Sequence, residues 1–560
     1  MSSGIPAREV PFPNSFALGE SAASTTGGEK AAGNPPLEVE QIQGNILAGF
    51  NKDNQTLIFL RINESAAFKV WLSAIIPFVA TTQEVLEFNR LFKMIRSRRK
   101  VESRTVLSTW LNIAFSFEGL KKLDQKETEK FRDEAFRKGL AASSKDLNDP
   151  LTGEGAPENW LVGGPNNEAD VLFILASDSI EEMALAVRRV ENWVYEGAQL
   201  HGRMVPSGAS VIFKQKGATL PSPLTGHEHF GFLDGVSQPG IRGTIGKTAD
   251  LFTPRQNPAD PNQGKPGQDC LWPGEFVFGY PGQNPKDADK RGEDKTEGPS
   301  WSGNGSFLVF RRLRQDVDGF HQFLKLTGDH LKLGADLFGA KCVGRWASGA
   351  PIERAPVADN PKMSRDDCAN NSFDFQKATA QPPAASQGQC SDEFPKSLAM
   401  DDSQGLVCPF AGHIRKAYPR DDVSRDPKKD PLPNEADTET HRLLRRGIPF
   451  GDPFDPTVIP DDGNRGLLFL AYQTSIEKQF EFVTKNWVNN PDFKDQGSGH
   501  DPVLGQSNQK SRERFFAVRD ADGKQQIIRF EKDWVIPTGG GYFFSPSIRA
   551  LNELSGAPDE

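Results

Sequence analysis

The feature that most limits how this chain can fold is a repeated word. Ser179-Ile180-Glu181 leads to Asn192-Trp193-Val194, and Ser475-Ile476-Glu477 leads to Asn486-Trp487-Val488, with two residues fewer between the halves of the second copy. Each copy follows a short apolar, β-favouring run, Val171 to Ala176 in the first and Gly466 to Ala471 in the second. Such a run followed by apolar residues at helical spacing reads as a buried strand feeding a helix. A related unit opens each half: Thr56 to Ile62 precedes Phe68, Trp71, Leu72 and Ile75, and Ser306 to Arg311 precedes Val317, Phe320, Phe323 and Leu324. Ser179 stands where a helix N-cap belongs, ahead of Ile180, Met183, Val187 and Val190 on one face. The predicted fold class is α+β, with two ferredoxin-like units, each a set of helices on an antiparallel sheet.

At 560 residues the chain exceeds one ordinary core, which suits two domains with insertions. The expected divisions are a flexible tail over 1–40, a first unit over 41–225, a connection over 226–305, a second unit over 306–546 with an insertion at 350–405, and a C-terminal tail over 547–560. The connection and the insertion are dense in Pro, Gly, Asp and Asn, and both read as long surface loops. Order is expected to begin near Val39. A net charge of −9 offers no basic stripe for nucleic acid and argues against anionic membranes. No apolar run is long enough to span a bilayer. Five cysteines lack C-x-x-C spacing, so neither a structural zinc site nor a dense disulfide framework is expected, and an odd thiol is left over. Sequons at Asn54, Asn63, Asn304 and Asn370 fit a secreted chain. The N-terminal residues lack the roughly seven-residue apolar core of a leader, so secretion and a cytosolic location both fit.

Three short words carry chemistry. In Gly231-Phe232-Leu233-Asp234-Gly235, glycines flank a carboxylate held on a turn, so backbone can lie close against something flat; Asp-Gly is also an ordinary β-turn pair. In Cys408-Pro409-Phe410-Ala411-Gly412-His413-Ile414-Arg415, a histidine sits among small and apolar residues, a setting that suits an axial haem ligand and equally a loop histidine bonded to a carbonyl. Arg415 has the planar, permanent charge to reach a haem propionate or to stay in solvent. In His441-Arg442-Leu443-Leu444-Arg445-Arg446-Gly447, Arg445 lies between apolar residues and a bend, where an inward guanidinium needs a negative partner. Arg446 reads as the solvent-facing member.

These words, in this order, resemble those of the dye-decolourising peroxidases, and the long insertions resemble the fungal branch of that family. The likeness runs from about residue 41 to 546, and Ile42 to Leu47 is similar to the family's opening strand region. It implies one haem b per chain, held mainly in the second unit, and oxidation of bulky anthraquinone dyes, phenols and similar aromatic reducing substrates by hydrogen peroxide through a ferryl intermediate. It makes Asp234 the distal acid/base, Arg445 the distal arginine and His413 the iron ligand. Gly231, Phe232, Leu233, Gly235 and Arg415 would hold the cofactor, with Leu467 and Phe469, alternate residues on one strand, lining the distal face. Trp487 is the candidate surface residue for handing on electrons, although Trp193 at the matching place points to shared packing. Where some relatives carry Tyr after Ile-Pro, this chain has Phe450, which excludes a tyrosyl radical there. A haem lyase of the chlorite-degrading type, and a haem carrier or sensor using Cys408-Pro409 as a thiolate, are the alternatives. The sequence does not show which carboxylate orients His413.

Overall fold

In this computed structural model the described residues are 33–99, 107–255, 260–376, 401–422, 434–458, 461 and 463–556. The first half builds four strands, β1 (Asn54–Ile62), β2 (Thr109–Phe115), β3 (Val171–Ser177) and β4 (Ala209–Ala218). The second half builds β5 (Ser306–Gln315), a split pair β6 (Leu444–Arg445) and β7 (Ile448–Phe450), then β8 (Gly466–Gln473) and β9 (Val535–Ser545). Helix α1 (Ser65–Ile75) follows β1, α2 (Ile180–Tyr195) follows β3 and α3 (Val317–His330) follows β5. After β8 the chain runs as wide π turns over Ile476–Glu481 and Val483–Val488. Each half is thus a β-α-β-β-α-β unit of the ferredoxin-like kind. In space the first half runs β4–β1–β3–β2 and the second β9–β5–β8–β6, the same order applied twice.

The two sheets are one. β9 pairs with β2 at Phe544 and Phe115, which joins the halves into a nine-stranded sheet. Its outer edges also meet, for a Cβ on Gly217 of β4 would lie 2.6 Å from Ile448 Cγ2 and 3.0 Å from the Pro449 carbonyl of β7. The sheet therefore closes into a barrel with two apolar faces. Alternation along each strand sorts the side chains: Leu57, Phe59, Leu172, Ile174, Leu308, Phe310, Leu468 and Leu470 fill the interior. Ile58, Phe173, Phe307, Val309 and Phe544 face outward beneath the helices. Ser179 and Ser475 cap their helices by accepting from the N–H groups of Glu182 and Lys478.

Several expectations are corrected. Residues 33–40 are not tail: Pro36 and Leu37 pair with Thr244 and Ile245, and Leu37 is fully buried; residues 1–32 lie outside the described residues. Ile42 to Leu47 forms turns with one bridge, Gln43 to Thr81, because the Gln43 and Asn45 side chains take up neighbouring backbone groups. The 226–305 connection is not a surface loop, since Leu271, Phe276, Val277 and Tyr280 pack into the interior cluster. Within the 350–405 insertion, Ile352, Ala355, Met363, Phe373 and Phe375 form a cluster of their own around Cys408; residues 377–400 are outside the described set. The C-terminal segment is a helix, Ile548–Ser555, that buries Ala550, Leu551 and Leu554. Cys368 is in a disulfide, while Cys270, Cys342 and Cys408 are free and buried. No helix among the described residues is long and apolar enough to cross a membrane.

The junction of the halves generates a test. Phe544 is fully buried and its ring meets Phe131 at 4.9 Å, Phe307 at 5.7 Å and Phe278 at 5.8 Å. Phe544→Ala should cost about 3–5 kcal/mol, read as a lowered urea midpoint, with both halves unfolding earlier together.

Candidate active site

Parity along the strands locates the cavity. Arg311, Leu313 and Gln315 of β5 have the outward parity of Phe307 and Val309, and they lie opposite Phe469, Leu467 and, on β9, Pro537 and Val535. Here the outer face is not covered directly by a helix. It forms one wall of a cavity of about 330 Å³, lined also by Phe232, Asp234, His413, Arg445 and Phe480. That size is ordinary for a small-molecule site. Leu467 and Phe469 both line it, as their alternation on one strand implies.

The Asp234 loop is built by backbone need. Gly231 and Gly235 have φ of 94° and 74°, a region that side-chain-bearing residues avoid, although nothing blocks a Cβ at either. Glu228 organises the turn by accepting from the N–H groups of Phe230 and Phe232 at 2.9 Å each, and from the Gln315 amide. Leu233 N–H donates to Ala347 O at 3.0 Å, and Phe232 packs against Gly339 of α4 (Gly334–Val343). Asp234 Oδ1 accepts from Gly235 N–H at 2.6 Å and from Arg445 Nη1 at 3.1 Å. Arg445 Nη2 donates to Ser237 O, and Gln238 grips the Arg445 backbone through both its N–H and its carbonyl. Burial pushes the Asp234 carboxyl up, but the Arg445 charge, the Gly235 N–H and nearby His413 outweigh it, and the acid sits below its ordinary value. Burial pushes Glu228 the other way, up to about 7. Two carboxylates in one cavity are thereby set to different protonation states.

His413 opens a short helix, α5 (His413–Ala417). Its Nδ1 lies 2.7 Å from Asp501 Oδ2, whose side chain is fully buried and whose Oδ1 accepts from the Val503 and Leu504 N–H groups. Burial lowers the His413 value, yet the Asp501 charge and hydrogen bond raise it further, for a net rise. With Nδ1 engaged by this carboxylate, Nε2 is the ring nitrogen left for the cavity. An imidazole oriented by a carboxylate in this way is a standard metal-ligand arrangement.

Three sequence-based assignments are corrected. Arg415 does not line the cavity: its guanidinium is buried between Asp402 and Asp422, at 2.9 and 2.5 Å, and also bonds the Cys408 carbonyl. Arg446 is not solvated, because it donates to the carbonyls of Asn45, Ile46 and Leu47. Trp487 is not a surface residue: it is 5 % exposed, edge-on to His441 at 5.3 Å and stacked on Phe493. Cys408 is no thiolate either, since burial pushes its thiol well up and its sulfur packs near Gly344 and Gly412 outside the cavity lining. Residues the sequence did not single out are Asp501, Glu228, Gln238 and Arg311.

The donors present suit haem. An apolar-walled cavity with an oriented imidazole fits a flat macrocycle and its metal. Arg311, paired with Asp149 at 2.8 Å, keeps a buried Nε with no partner on the cavity wall, a donor suited to a carboxylate such as a propionate. Among the described residues no group of three or more His, Cys, Asp or Glu side chains could hold a bare metal ion.

Fold and site define a dimeric α+β barrel protein with a one-histidine prosthetic-group cavity. Residues 41–205 match the DyP dimeric alpha+beta barrel domain and 429–501 the C-terminal Dyp-type peroxidase family. The dye-decolorizing peroxidase msp1 of Mycetinis scorodonius is 31% identical over 98% of this chain and 92% of its own length. An ancestral D-type dye decolorizing peroxidase matches in structure with TM-score 0.71 at 32% identity, over 93% of this chain and 100% of that one. A decolorizing peroxidase from Auricularia auricula-judae gives 0.66 at 29%, with the same coverage of both chains. The chain belongs to the dye-decolorizing peroxidase family.

The Arg415 correction is testable. Arg415→Met leaves Asp402 and Asp422 buried without their shared cation, Lys494 alone remaining on Asp422. We expect a loss of about 3–5 kcal/mol, measured as a urea midpoint shift that Arg415→Lys only partly restores.

Proposed function

We propose that this chain is a haem peroxidase that uses hydrogen peroxide to oxidise dyes, phenols and similar aromatic one-electron donors, with Asp234, Arg445 and His413 as its working side chains. One observation carries the reading: the Asp234–Arg445 pair and the Asp501-held His413 share a single apolar-walled cavity. Bound haem b would supply the iron that takes peroxide and stores its two oxidising equivalents.

Every other part of the reaction falls to this chain. His413 Nε2 would hold the metal, and Asp501 fixes the ring so that Nε2 keeps its direction and basicity. Asp234, ionised beside Arg445, accepts the proton of peroxide at a carboxylate oxygen and returns it to the departing oxygen, so that water leaves. Arg445 Nη1 lies 3.1 Å from Asp234 Oδ1, where it can meet negative charge as the O–O bond breaks. Leu467 and Phe469 keep bulk water from that charge. Phe232, Leu233 and the flanking glycines set the loop against the cofactor, and Arg311 takes over the propionate role first assigned to Arg415. The family matches favour this chemistry over a haem carrier, a sensor or a chlorite-degrading lyase.

Rapid mixing with one equivalent of peroxide, followed by haem absorption, tests the reading. Asp234→Asn and Arg445→Leu should keep bound haem and react about 10²–10⁴ times more slowly; full rates in both variants would remove these residues from the mechanism. The pH profile gives a second test. Because Asp234 is held below its ordinary 3.8, the rate should fall only as pH drops through that lowered value. Removing the Arg445 charge raises the carboxyl, so the acid limb of Arg445→Lys should stay low while that of Arg445→Leu moves upward.

A further inference from the structure

The cavity accounts for peroxide but offers bulky donors no evident seat, so the search turned to oxidisable side chains between it and the surface. The chain has five tyrosines. Tyr280 donates to Asn304, Tyr472 is the acceptor for Asn45, and Tyr195 lies exposed on α2. Tyr418 and Tyr542 instead donate to carboxylates. For Tyr418 that carboxylate is Asp269, already neutralised by Arg442 at 2.7 Å. For Tyr542 it is Glu481, at 2.9 Å, and Glu481 faces a separate open cleft.

The geometry spans the distance between cavity and surface in two contacts. Phe469 and Phe480 both line the haem-type cavity, with ring centroids 6.0 Å apart. Phe480 meets the Tyr542 ring edge-on at 6.2 Å. Tyr542 is buried on β9, and beyond its hydroxyl the Glu481 carboxylate is held on its other oxygen by Lys485 at 2.6 Å. The cleft beyond has a volume of about 520 Å³ and is lined by Phe117, Ala135, Arg137, Glu134, Glu477 and Lys485 among others. Its cations are largely matched by carboxylates, as with Arg137 and Glu129 at 2.8 Å and Lys138 and Asp146 at 2.9 Å. Such a surface suits a neutral, hydrogen-bonding aromatic better than a polyanion.

We propose that this cleft is a second oxidation site, for phenol-type aromatic donors too large for the haem cavity, and that Tyr542 with Glu481 relays their electrons inward. The inference rests on the peroxidase reading. In the first step one electron passes from the Tyr542 ring to the oxidising centre left by peroxide, and the phenolic proton moves along the existing hydrogen bond to a Glu481 oxygen. A neutral tyrosyl radical remains. In the second step the donor in the cleft gives one electron to that radical, Glu481 returns the proton to the Tyr542 oxygen, and the oxidised phenol releases its own proton to water. Two such cycles consume the two equivalents of one peroxide.

The test uses the full-length haem-loaded protein, frozen after mixing with one equivalent of peroxide and read by electron paramagnetic resonance. The wild type should give a radical signal that narrows when the protein carries β-deuterated tyrosine. That signal should vanish in Tyr542→Phe, weaken in Glu481→Gln, which keeps a hydrogen-bond partner but not a base, and persist in Trp487→Phe and Tyr418→Phe. The ratio of turnover on a bulky phenol to turnover on a small one should fall about tenfold in Tyr542→Phe. Glu134→Phe, which narrows the cleft at its exposed rim, should lower the same ratio and leave the radical in place. A radical that survives Tyr542→Phe, or one that disappears in Trp487→Phe, overturns the relay; a ratio unmoved by Glu134→Phe overturns the cleft. A wild type whose haem does not respond to peroxide would end the peroxidase reading itself, a result distinct from all of these.

Discussion

Everything in this molecule follows from a sheet that is apolar on both faces and closes on itself. A strand buried on two sides must supply apolar residues at both parities, and β1, β3 and the first half of β5 do so. Beyond Phe310 the pattern changes. Arg311, Leu313 and Gln315 continue the outward parity of Phe307 and Val309, but two of the three are polar, so no helix can settle on them as α2 settles on the first half. The covering elements stand off instead, and the gap between them and the sheet is the cavity. One half of the duplication is packed solid and the other is hollowed by a change of residue type on a single strand.

The polar lining thus admitted must be satisfied, and the way it is satisfied sets the chemistry. A carboxylate in a nearly dry cavity is neutralised by its surroundings unless a cation holds it ionised. Glu228, which has only N–H groups and an amide for company, goes to about 7. Asp234, a few residues on in the same loop, has a guanidinium at 3.1 Å and goes down. Position on the loop decides which acid is a base. The same logic explains Asp501, whose charge is held by two backbone N–H groups and spent on orienting His413.

Much of this was legible because period and local composition suffice for it. The strands and the capped helices that follow them are local patterns, and the duplication predicted a matched pair of sheets. Asp234, His413 and Arg445 stood out because each lay in a short word whose neighbours were small, apolar or bent, and the structure brings all three to one cavity. Partners across long stretches of chain were not legible. Asp501 lies 88 residues from His413, and its setting, Gly499-His500-Asp501-Pro502, looks like any polar turn. Arg415 and Arg446 misled for a related reason. A sequence shows that a charge is present, but not the buried Asp402 and Asp422, or the carbonyls of residues 45 to 47, that consume it. The Pro- and Gly-rich segments misled because irregular backbone need not be surface backbone when its aromatic residues, such as Trp272, Phe276 and Tyr280, have a core to enter.

The tryptophan pair that revealed the duplication also measures how far its halves have parted. Trp193 closes α2 against Phe78 at 4.8 Å, and its carbonyl accepts from the Trp71 indole, so it is a packing residue with one edge in solvent. Trp487 sits at the matching place, but its helix turns wide, and Val483, Thr484 and Val488 around it line the cavity. What packs on Trp487 is correspondingly different: His441, itself on the cavity wall, and the rings of Phe482 and Phe493. A residue that in one half anchors a helix to a filled core has become, in the other, the backing of a wall whose far side is open. That wall must stay rigid while its inner surface carries out oxidation, and a buried, ring-stacked indole supplies the rigidity that a solvent-facing one cannot.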